Sequence, residues 1–157
     1  MSRRDQIRMT EEELRDFVAN SKTLIINSIG PDGVPHPMPM WFGVEDDGAV
    51  VMTTFRKSQK IANLKRDPRV SLLVEDGTEY AELRGAVLYG DAELIDDTER
   101  VIDILAAVTT RDQPAPDEEG MKGMRKVLAT TASKRTGIRI RPGRIVSWDH
   151  RKLDGAY

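Results

Sequence analysis

The 157-residue chain contains no cysteine and only two histidines, His36 and His150. The absence of cysteine excludes disulfide bonds, thiolate-ligated zinc, iron–sulfur clusters and thiol nucleophiles. No carboxylate near either histidine has the spacing of a metal ligand, so we do not expect a metalloenzyme. The glycine-rich loops of dinucleotide and nucleoside triphosphate sites and the GxSxG nucleophile motif are also missing. The familiar catalytic motifs are therefore absent from this sequence.

Long apolar runs and an excess of one charge are missing as well. No apolar run approaches the roughly 20 residues of a membrane-spanning helix, and residues 1–14 lack the apolar core of a signal peptide. The formal net charge of -2 argues against general nucleic-acid binding. The composition, 39% hydrophobic and 32% charged, is typical of a globular protein. We expect one domain over residues 1–157, in the cytoplasm, with neither a membrane nor a nucleic acid as partner.

Local signals in the first part of the chain predict antiparallel hairpins. A capping box at residues 10–13 indicates the start of a helix. The turn residues Gly30-Pro31-Asp32-Gly33 and Asp46-Asp47-Gly48 separate short apolar segments, as in hairpins. A short helix is predicted over residues 58–66. The predicted strands of this part are residues 23–29, 35–44, 50–55, 70–75 and 80–95.

The second part of the chain adds two helices, predicted over residues 96–110 and 121–133, with a mobile loop at 111–120 between them. Two final strands flank Pro142-Gly143. Two glycines inside the predicted strand 80–95 indicate bulges or tight barrel curvature. The order contains no alternating βαβ units. We therefore predict an α+β fold, a small closed or split β-barrel with flanking helices.

The strand predicted at 35–44 has an unusual alternation of proline with other residues. Pro35, Pro37 and Pro39 remove backbone donors from one edge of the strand only, because alternate residues direct their N–H groups to opposite edges. We predict a strand at a sheet opening, where a ligand or a second subunit replaces the missing neighbour. The alternative is a plain edge strand that is protected from aggregation.

The most informative stretch is residues 50–68, where an apolar strand leads into a basic turn and a short helix. Ser58 is the predicted N-cap of that helix. Free backbone N–H groups and the positive end of the helix dipole would attract a phosphate at this point. The alternative is a solvated basic face. The cations that surround the single acid Asp67 are Arg56, Lys57, Lys60, Lys65, Arg66 and Arg69.

Four segments together resemble the pyridoxamine 5'-phosphate oxidase-like split-barrel superfamily of flavin and deazaflavin proteins. The resemblance covers residues 23–95 and 137–148. It implies a split β-barrel, similar to FMN-binding proteins, that forms a homodimer with the cofactor in a cleft between subunits. The segments are GPDGVPHPMPMWFGVEDDG, VVMTTFRKSQKIANLKRDPRVSLLVE, ELRGAVLYGDAELIDD and IRIRPGRIVSW.

The resemblance also implies positions for the cofactor. The ring would lie against the strand 37–42, the strand end near residue 54 would contact the ribityl chain or phosphate, and residues 58–60 would bind the phosphate. Ordinary core or strand roles for the same residues are the alternative. The implied cofactor-binding residues are Met38, Met40, Trp41, Thr53, Thr54, Lys57, Ser58, Gln59, Lys60, Asn63 and Tyr80.

The C-terminus, SWDHRKLDGAY, lacks the Arg-x-His substrate motif of pyridoxamine phosphate oxidases, so that oxidase reaction is not expected. The chain more closely resembles the short branch that uses coenzyme F420, a deazaflavin that passes hydride to a small organic substrate. Arg56 and Lys57 could attract the acidic tail of F420. No catalytic acid or base is identified. The alternatives are an FMN-dependent oxidoreductase, or a non-enzymatic flavin- or haem-binding protein with His36 and His150 as axial ligands.

Overall fold

A computed structural model of the protein describes residues 2–153. Within these residues the strands are β1 (Thr23–Ile29), β2 (Pro35–Trp41), β3 (Gly43–Val44), β4 (Val50–Phe55), β5 (Arg69–Asp76), β6 (Arg84–Ile95), β7 (Arg135–Ile140) and β8 (Arg144–Asp149). The helices are α1 (Arg3–Gln6), α2 (Glu11–Asn20), α3 (Gln59–Arg66), α4 (Thr98–Thr110) and α5 (Glu118–Ala132). Short 3-10 turns occur at Tyr80–Glu82 and His150–Leu153. None of the helices described in residues 2–153 combines the length and apolar character needed to cross a membrane.

The strand β6 joins two sheets into one curled assembly. Its first part pairs with β5 and β8, and its last part, from Ala92 to Ile95, pairs with β7. The strand order is β2-β1-β5-β6-β7-β4-β3, with β8 beside β6, and every pairing is antiparallel. Helices flank this curled sheet. The predicted split β-barrel with flanking helices is therefore confirmed.

The glycines of β6 mark close approaches rather than bulges. The register between β5 and β6 runs without interruption from Arg69 opposite Asp91 to Asp76 opposite Arg84. A Cβ atom on Gly85 would lie 2.3 Å from the ring of Trp148, and one on Gly90 would lie 2.9 Å from a backbone carbonyl oxygen. The β5–β6 register therefore shows no bulge at these glycines, and what they allow is close packing against neighbouring atoms.

Two cores stabilise the fold. The barrel interior holds the larger one, to which α2 contributes Phe17 and Val18 and α3 contributes Ile61 and Leu64. The second core lies between α4 and α5 on the outside of the barrel. The predicted capping box of α2 is present, since Thr10 N donates to Glu13 Oε2 at 2.7 Å and Glu13 N donates to Thr10 Oγ1 at 3.2 Å. These local predictions are confirmed.

The segment 35–44 forms two strands, so the prediction of one continuous strand is wrong. β2 pairs with β1, whereas β3 pairs with β4 in the other part of the sheet. Between them the buried Phe42 accepts a hydrogen bond from Arg111 Nη1 at 2.8 Å through its carbonyl oxygen. The Arg111 guanidinium also stacks 4.1 Å from the Phe42 ring centroid. This contact across 69 residues fixes the crossing point, and no local pattern encodes it.

Two further predicted boundaries differ from the structure. Tyr80 lies in a 3-10 turn and not in the long strand, which begins at Arg84. The loop predicted at 111–120 is shorter, because α5 already begins at Glu118. Asp117 caps that helix by accepting a hydrogen bond from Gly120 N at 2.8 Å.

Candidate anion-binding site

The N-terminus of α3 follows β4 after a tight turn. Ser58 is the N-cap, as predicted, but within the described chain its hydroxyl makes no capping hydrogen bond. Its Oγ lies 3.5 Å from Thr54 Oγ1, at the outer limit of a hydrogen bond. The first turn of α3 carries no acidic side chain. The helix itself therefore offers no anion to its own N-terminal donors and dipole.

Lys60 is a buried cation, with only 6% of its surface exposed. Its Nζ donates to Thr54 Oγ1 at 3.0 Å, and no carboxylate within residues 2–153 forms an ion pair with it. Burial lowers the pKa of Lys60, and the positive charge of Arg135 lowers it further. Buried charges in proteins are normally paired, because an isolated one is expensive to remove from water. The protein thus buries an ammonium group without supplying its counter-charge.

Arg135 belongs to the same corner, although the sequence analysis did not identify it. β7 pairs with β4 so that Arg135 lies opposite Phe55, at the end of the strand that carries Thr54. Its guanidinium stacks 4.6 Å from the Phe55 ring centroid. Its Nη1 lies 3.4 Å from both the carbonyl and the hydroxyl oxygen of Thr53. The only sequence signal was a basic residue shortly before the predicted final strands, which were expected to begin at residue 137.

Asn63 is fully buried and joins α3 to β1. Its Nδ2 donates to Ser28 Oγ at 3.0 Å. Its Oδ1 accepts from Gln59 Nε2 at 2.9 Å and from Arg66 Nη2 at 3.3 Å. The chain itself therefore satisfies the amide of Asn63. In this arrangement Asn63 and Gln59 hold the helix against the sheet and so position its N-terminus.

The strand β2 lies at the edge of the sheet and, among the strands of residues 2–153, pairs only with β1. Prolines occupy alternate positions of β2 and carry no N–H group. The residues that donate to β1 must therefore be His36, Met38 and Met40. From Pro35 to Pro39 the open edge displays carbonyl groups without N–H donors. The prediction that the prolines allow β2 to pair fully on one edge only is therefore confirmed.

The apolar residues expected to hold a ring are divided between the two faces of β2. Met38 and Met40 share the face on which the buried residues of β1 lie, whereas Trp41 lies on the opposite face. Trp41 is 69% exposed and lines a pocket of 140 Å³ together with Arg111 and the end of α4. Of the three apolar residues expected to hold the ring, the two methionines therefore share one face of β2 and Trp41 lies on the other.

The remaining predicted residues are also divided. Thr53 and Thr54 are both buried, but neighbouring strand residues point to opposite faces. Thr54 contacts Lys60, and Thr53 contacts Arg135 as described above. Lys57 lies exposed in the turn. Tyr80 lies in the turn between β5 and β6, where its carbonyl oxygen is 2.9 Å from Nδ1 of His150.

The two histidines lie far apart in the fold. His36 is on β2 and His150 follows β8, so β1, β5 and β6 lie between them. They cannot ligate the same iron atom within one chain. Within residues 2–153 no group of three or more potential metal ligands comes together.

Solved structures with this fold include three informative relatives. A conserved hypothetical protein from Mycobacterium tuberculosis is 42% identical, with a TM-score of 0.86 over 100% of this chain and 95% of that chain. An F420 reductase is 21% identical, with a TM-score of 0.61 over 83% of this chain and 94% of that chain. A haem storage protein from Vibrio cholerae is 17% identical, with a TM-score of 0.63 over 87% of this chain and 94% of that chain. The last two similarities concern the fold alone.

A family comparison covers most of the sequence. Residues 10–145 match the family model described as pyridoxamine 5'-phosphate oxidase. No curated protein matches the chain. The matched residues include the whole proline strand, the basic turn with α3, and β6 and β7. The chain therefore belongs to the pyridoxamine 5'-phosphate oxidase family.

Proposed function

We propose that the protein is a cytoplasmic oxidoreductase that binds the phosphate of a flavin-type cofactor at the N-terminus of α3. The observation that carries this proposal is the buried ammonium of Lys60, which has no carboxylate partner within residues 2–153. A phosphate would supply the missing charge and accept from Lys60, from the Ser58 hydroxyl and from the free backbone donors. Membership of the family supports a flavin or a deazaflavin as the ligand.

The ring of the cofactor would lie against the face of β2 that carries Met38 and Met40. Polarisable, apolar side chains suit one wall of such a site. The open edge of β2, with carbonyls and no donors along its proline residues, leaves room for a second subunit beside it. We propose a homodimer with the cofactor between the subunits, in which the partner covers the other side of the ring. Asn63 and Gln59 would contribute by fixing α3 rather than by carrying charge.

Coenzyme F420 is the preferred cofactor in this proposal. Arg56 and Lys57 lie exposed in the turn before α3, where they could attract the acidic tail of F420. The fold similarity to an F420 reductase supports the same choice. The bound cofactor would supply the hydride, and the chain would bind and orient it beside a small organic substrate and exclude water. FMN is the second candidate, because it also carries a phosphate group that the corner at α3 could bind, and because the chain resembles flavin proteins.

Titration of the purified protein with F420 and, in parallel, with FMN tests this proposal. We expect micromolar or tighter binding of F420, and weaker binding by Lys60→Ala. Lys65→Ala is the matched control, because Lys65 is exposed in the last turn of the same helix. Tight FMN binding with weak F420 binding would transfer the protein to the FMN-dependent group. The absence of measurable affinity for both would reject the proposal.

A further inference from the structure

Arg135 has a hydrogen-bonding capacity that the protein leaves unused. Its Nε is buried and has no hydrogen-bond partner. Its Nη1 reaches oxygens of Thr53 only at 3.4 Å, and no carboxylate of residues 2–153 pairs with the guanidinium. Buried polar groups in folded proteins almost always find partners, so an orphan donor on a charged group needs an explanation. A missing acceptor of negative charge is the simplest one.

The surroundings of Arg135 hold the guanidinium in place without neutralising it. The guanidinium stacks on Phe55, whose side chain is 59% exposed in spite of its size. Stacking on the Phe55 ring orients the planar guanidinium. Because the planar group is already oriented, arginine loses little side-chain entropy for each hydrogen bond it forms. Arg56 N donates to the carbonyl of Lys134 at 3.0 Å, which ties the start of β7 to the turn before α3. The guanidinium is therefore fixed beside the helix N-terminus.

Arg135 and Lys60 also act on one another electrostatically. The charge of Arg135 is one of the causes that lower the pKa of Lys60. Like charges repel, and in a protein without a ligand such repulsion lowers the stability of the fold. Neither group is neutralised by an acid within the described chain. The two cations contact opposite faces of β4, at Thr54 and Thr53, close to the end of the strand. An anion at that end, beside the turn before α3, would attract both of them.

We propose that Arg135 is a second phosphate-binding residue, whose guanidinium donates to the same phosphate group that Lys60 and the α3 N-terminus hold. This inference rests on the proposed function only in placing a phosphate at that corner. The ligand class is a phosphate or phosphate ester, because a planar guanidinium can make two parallel hydrogen bonds to its oxygens. Arg135 would then bind the phosphate and would also favour phosphorylated ligands over dephosphorylated ones.

Thermal unfolding in increasing inorganic phosphate tests this assignment, with chloride at matched ionic strength to correct for screening. We expect Arg135→Gln to raise the half-saturating phosphate concentration about tenfold, the effect of losing one charge-assisted contact. Arg135→Lys keeps the charge but not the planar group, and should raise it by about threefold. Lys134→Gln removes an exposed charge one residue away and should change it less than twofold.

A matched flavin experiment adds specificity. Wild-type protein should bind FMN more tightly than riboflavin, and Arg135→Gln should lose most of that preference. Equal phosphate affinity in wild type and Arg135→Gln would overturn the assignment of Arg135 and leave the phosphate site intact. Equal losses in Arg135→Gln and Lys134→Gln would also overturn it, because general charge would then be the cause. If phosphate fails to stabilise even the wild type, the site itself and the role of Arg135 are both wrong.

Discussion

The turn between β3 and β4 and the corner between β4 and α3 are both surrounded by cations. At the turn these cations pair with carboxylates, whereas at the corner they do not. At the turn, Glu45 pairs with Arg100 and with Arg139 Nε, the latter at 2.8 Å. Asp47 pairs with Arg139 and Arg141. At the corner, Lys60 and Arg135 have no such partner within residues 2–153. One strand, β4, runs from the first region to the second.

This difference separates charge that stabilises the fold from charge that is available to a ligand. Arg139 and Arg141 link β7 and the residue after it to this turn. The hydrogen bond from the Ala49 backbone N–H and, after it, the pairing with Arg141 and Arg139 lower the pKa of Asp47 to about 2. At the corner, burial and, after it, the positive charge of Arg135 lower the pKa of Lys60. Positive charge alone is therefore a weak indicator of a binding site. Positive charge that is buried and has no carboxylate partner is a much stronger one.

Arg111 shows a third way to hold a buried cation. Burial lowers its pKa, as for Lys60, but its guanidinium is satisfied by backbone oxygens. Besides the carbonyl of Phe42, it donates to the carbonyls of Val18 at 2.6 Å and Ala19 at 2.8 Å, at the end of α2. The carbonyls of Val18 and Ala19 lie in the last turn of α2, where helix carbonyls lack their usual partners, although that of Val18 also accepts from Ser21 N at 3.3 Å. Arg111 is thus a structural cation, and its comparison with Lys60 can be tested.

The largest effect on stability is expected for Arg111→Ala. The substitution removes three hydrogen bonds and the stacking on Phe42, and should lower the free energy of unfolding by about 2–3 kcal/mol. Urea unfolding measures this loss. Arg144→Ala is the control, because Arg144 stacks 3.9 Å from the Tyr89 ring centroid at an exposed position. Equal losses in the two variants would show that stacking, and not the carbonyl contacts, gives Arg111 its role.

A smaller loss is expected for Glu45→Gln at the paired turn. The half-buried carboxylate has two arginine partners, and its removal should cost about 1–2 kcal/mol of unfolding free energy. Binding of phosphate at the other end of β4 should not change. Urea unfolding and phosphate titration on the same variant check both halves of this prediction. A loss of phosphate binding would mean that the two regions are coupled, contrary to the comparison.

At the unpaired corner, removal of a cation should raise the free energy of unfolding instead of lowering it. Lys60→Met removes a buried, unpaired ammonium and should raise the stability of the ligand-free protein by about 1 kcal/mol while abolishing phosphate binding. Because the pKa of Lys60 is lower in the folded than in the unfolded state, the wild type should gain stability as pH rises toward 10.5. Lys60→Met should lack this alkaline gain. Destabilisation of the ligand-free variant would instead assign Lys60 a structural role.

The smallest effect is expected in acid at the paired turn. The pKa of Asp47 is about 2 in the folded protein, against an ordinary value of 3.8. Its contribution is therefore complete above the ordinary value and is lost as pH falls through that window toward 2. Asp47→Asn should show a shallower loss of Tm across this pH range than the wild type. Parallel curves for the two proteins would exclude Asp47 from the acid response.

Much of the fold could be predicted from the sequence because the residues that specify each element are close together in the chain. The capping box of α2, the glycine turns and the Ser58 cap each lie within a few residues, and all appear where they were predicted. The proline strand was also read correctly as able to pair on one edge only. The single predicted strand 35–44 failed because its break depends on Arg111, a residue far along the chain.

Only part of the candidate site could be predicted from the sequence, because some of its residues come from distant parts of the chain. Ser58 is the N-cap of α3 and Lys60 lies in its first turn, so their proximity follows from sequence spacing. Arg135 reaches the same corner only because β7 pairs with β4, and strand pairing over 80 residues has no local signature. The separation of Trp41 from Met38 and Met40 depends likewise on register, which decides the face that each side chain occupies.

The sequence by itself therefore determined most of the elements, the family resemblance and the basic corner at α3, since turn, cap and alternation preferences are properties of neighbouring residues. Only the tertiary structure decided which cations are neutralised. Pairing depends on what distant strands bring within a few ångströms, and burial then sets the cost of leaving a charge unpaired. The pairing distinguishes Lys60 and Arg135 from Arg139 and Arg141, although all four are cations near the ends of β4.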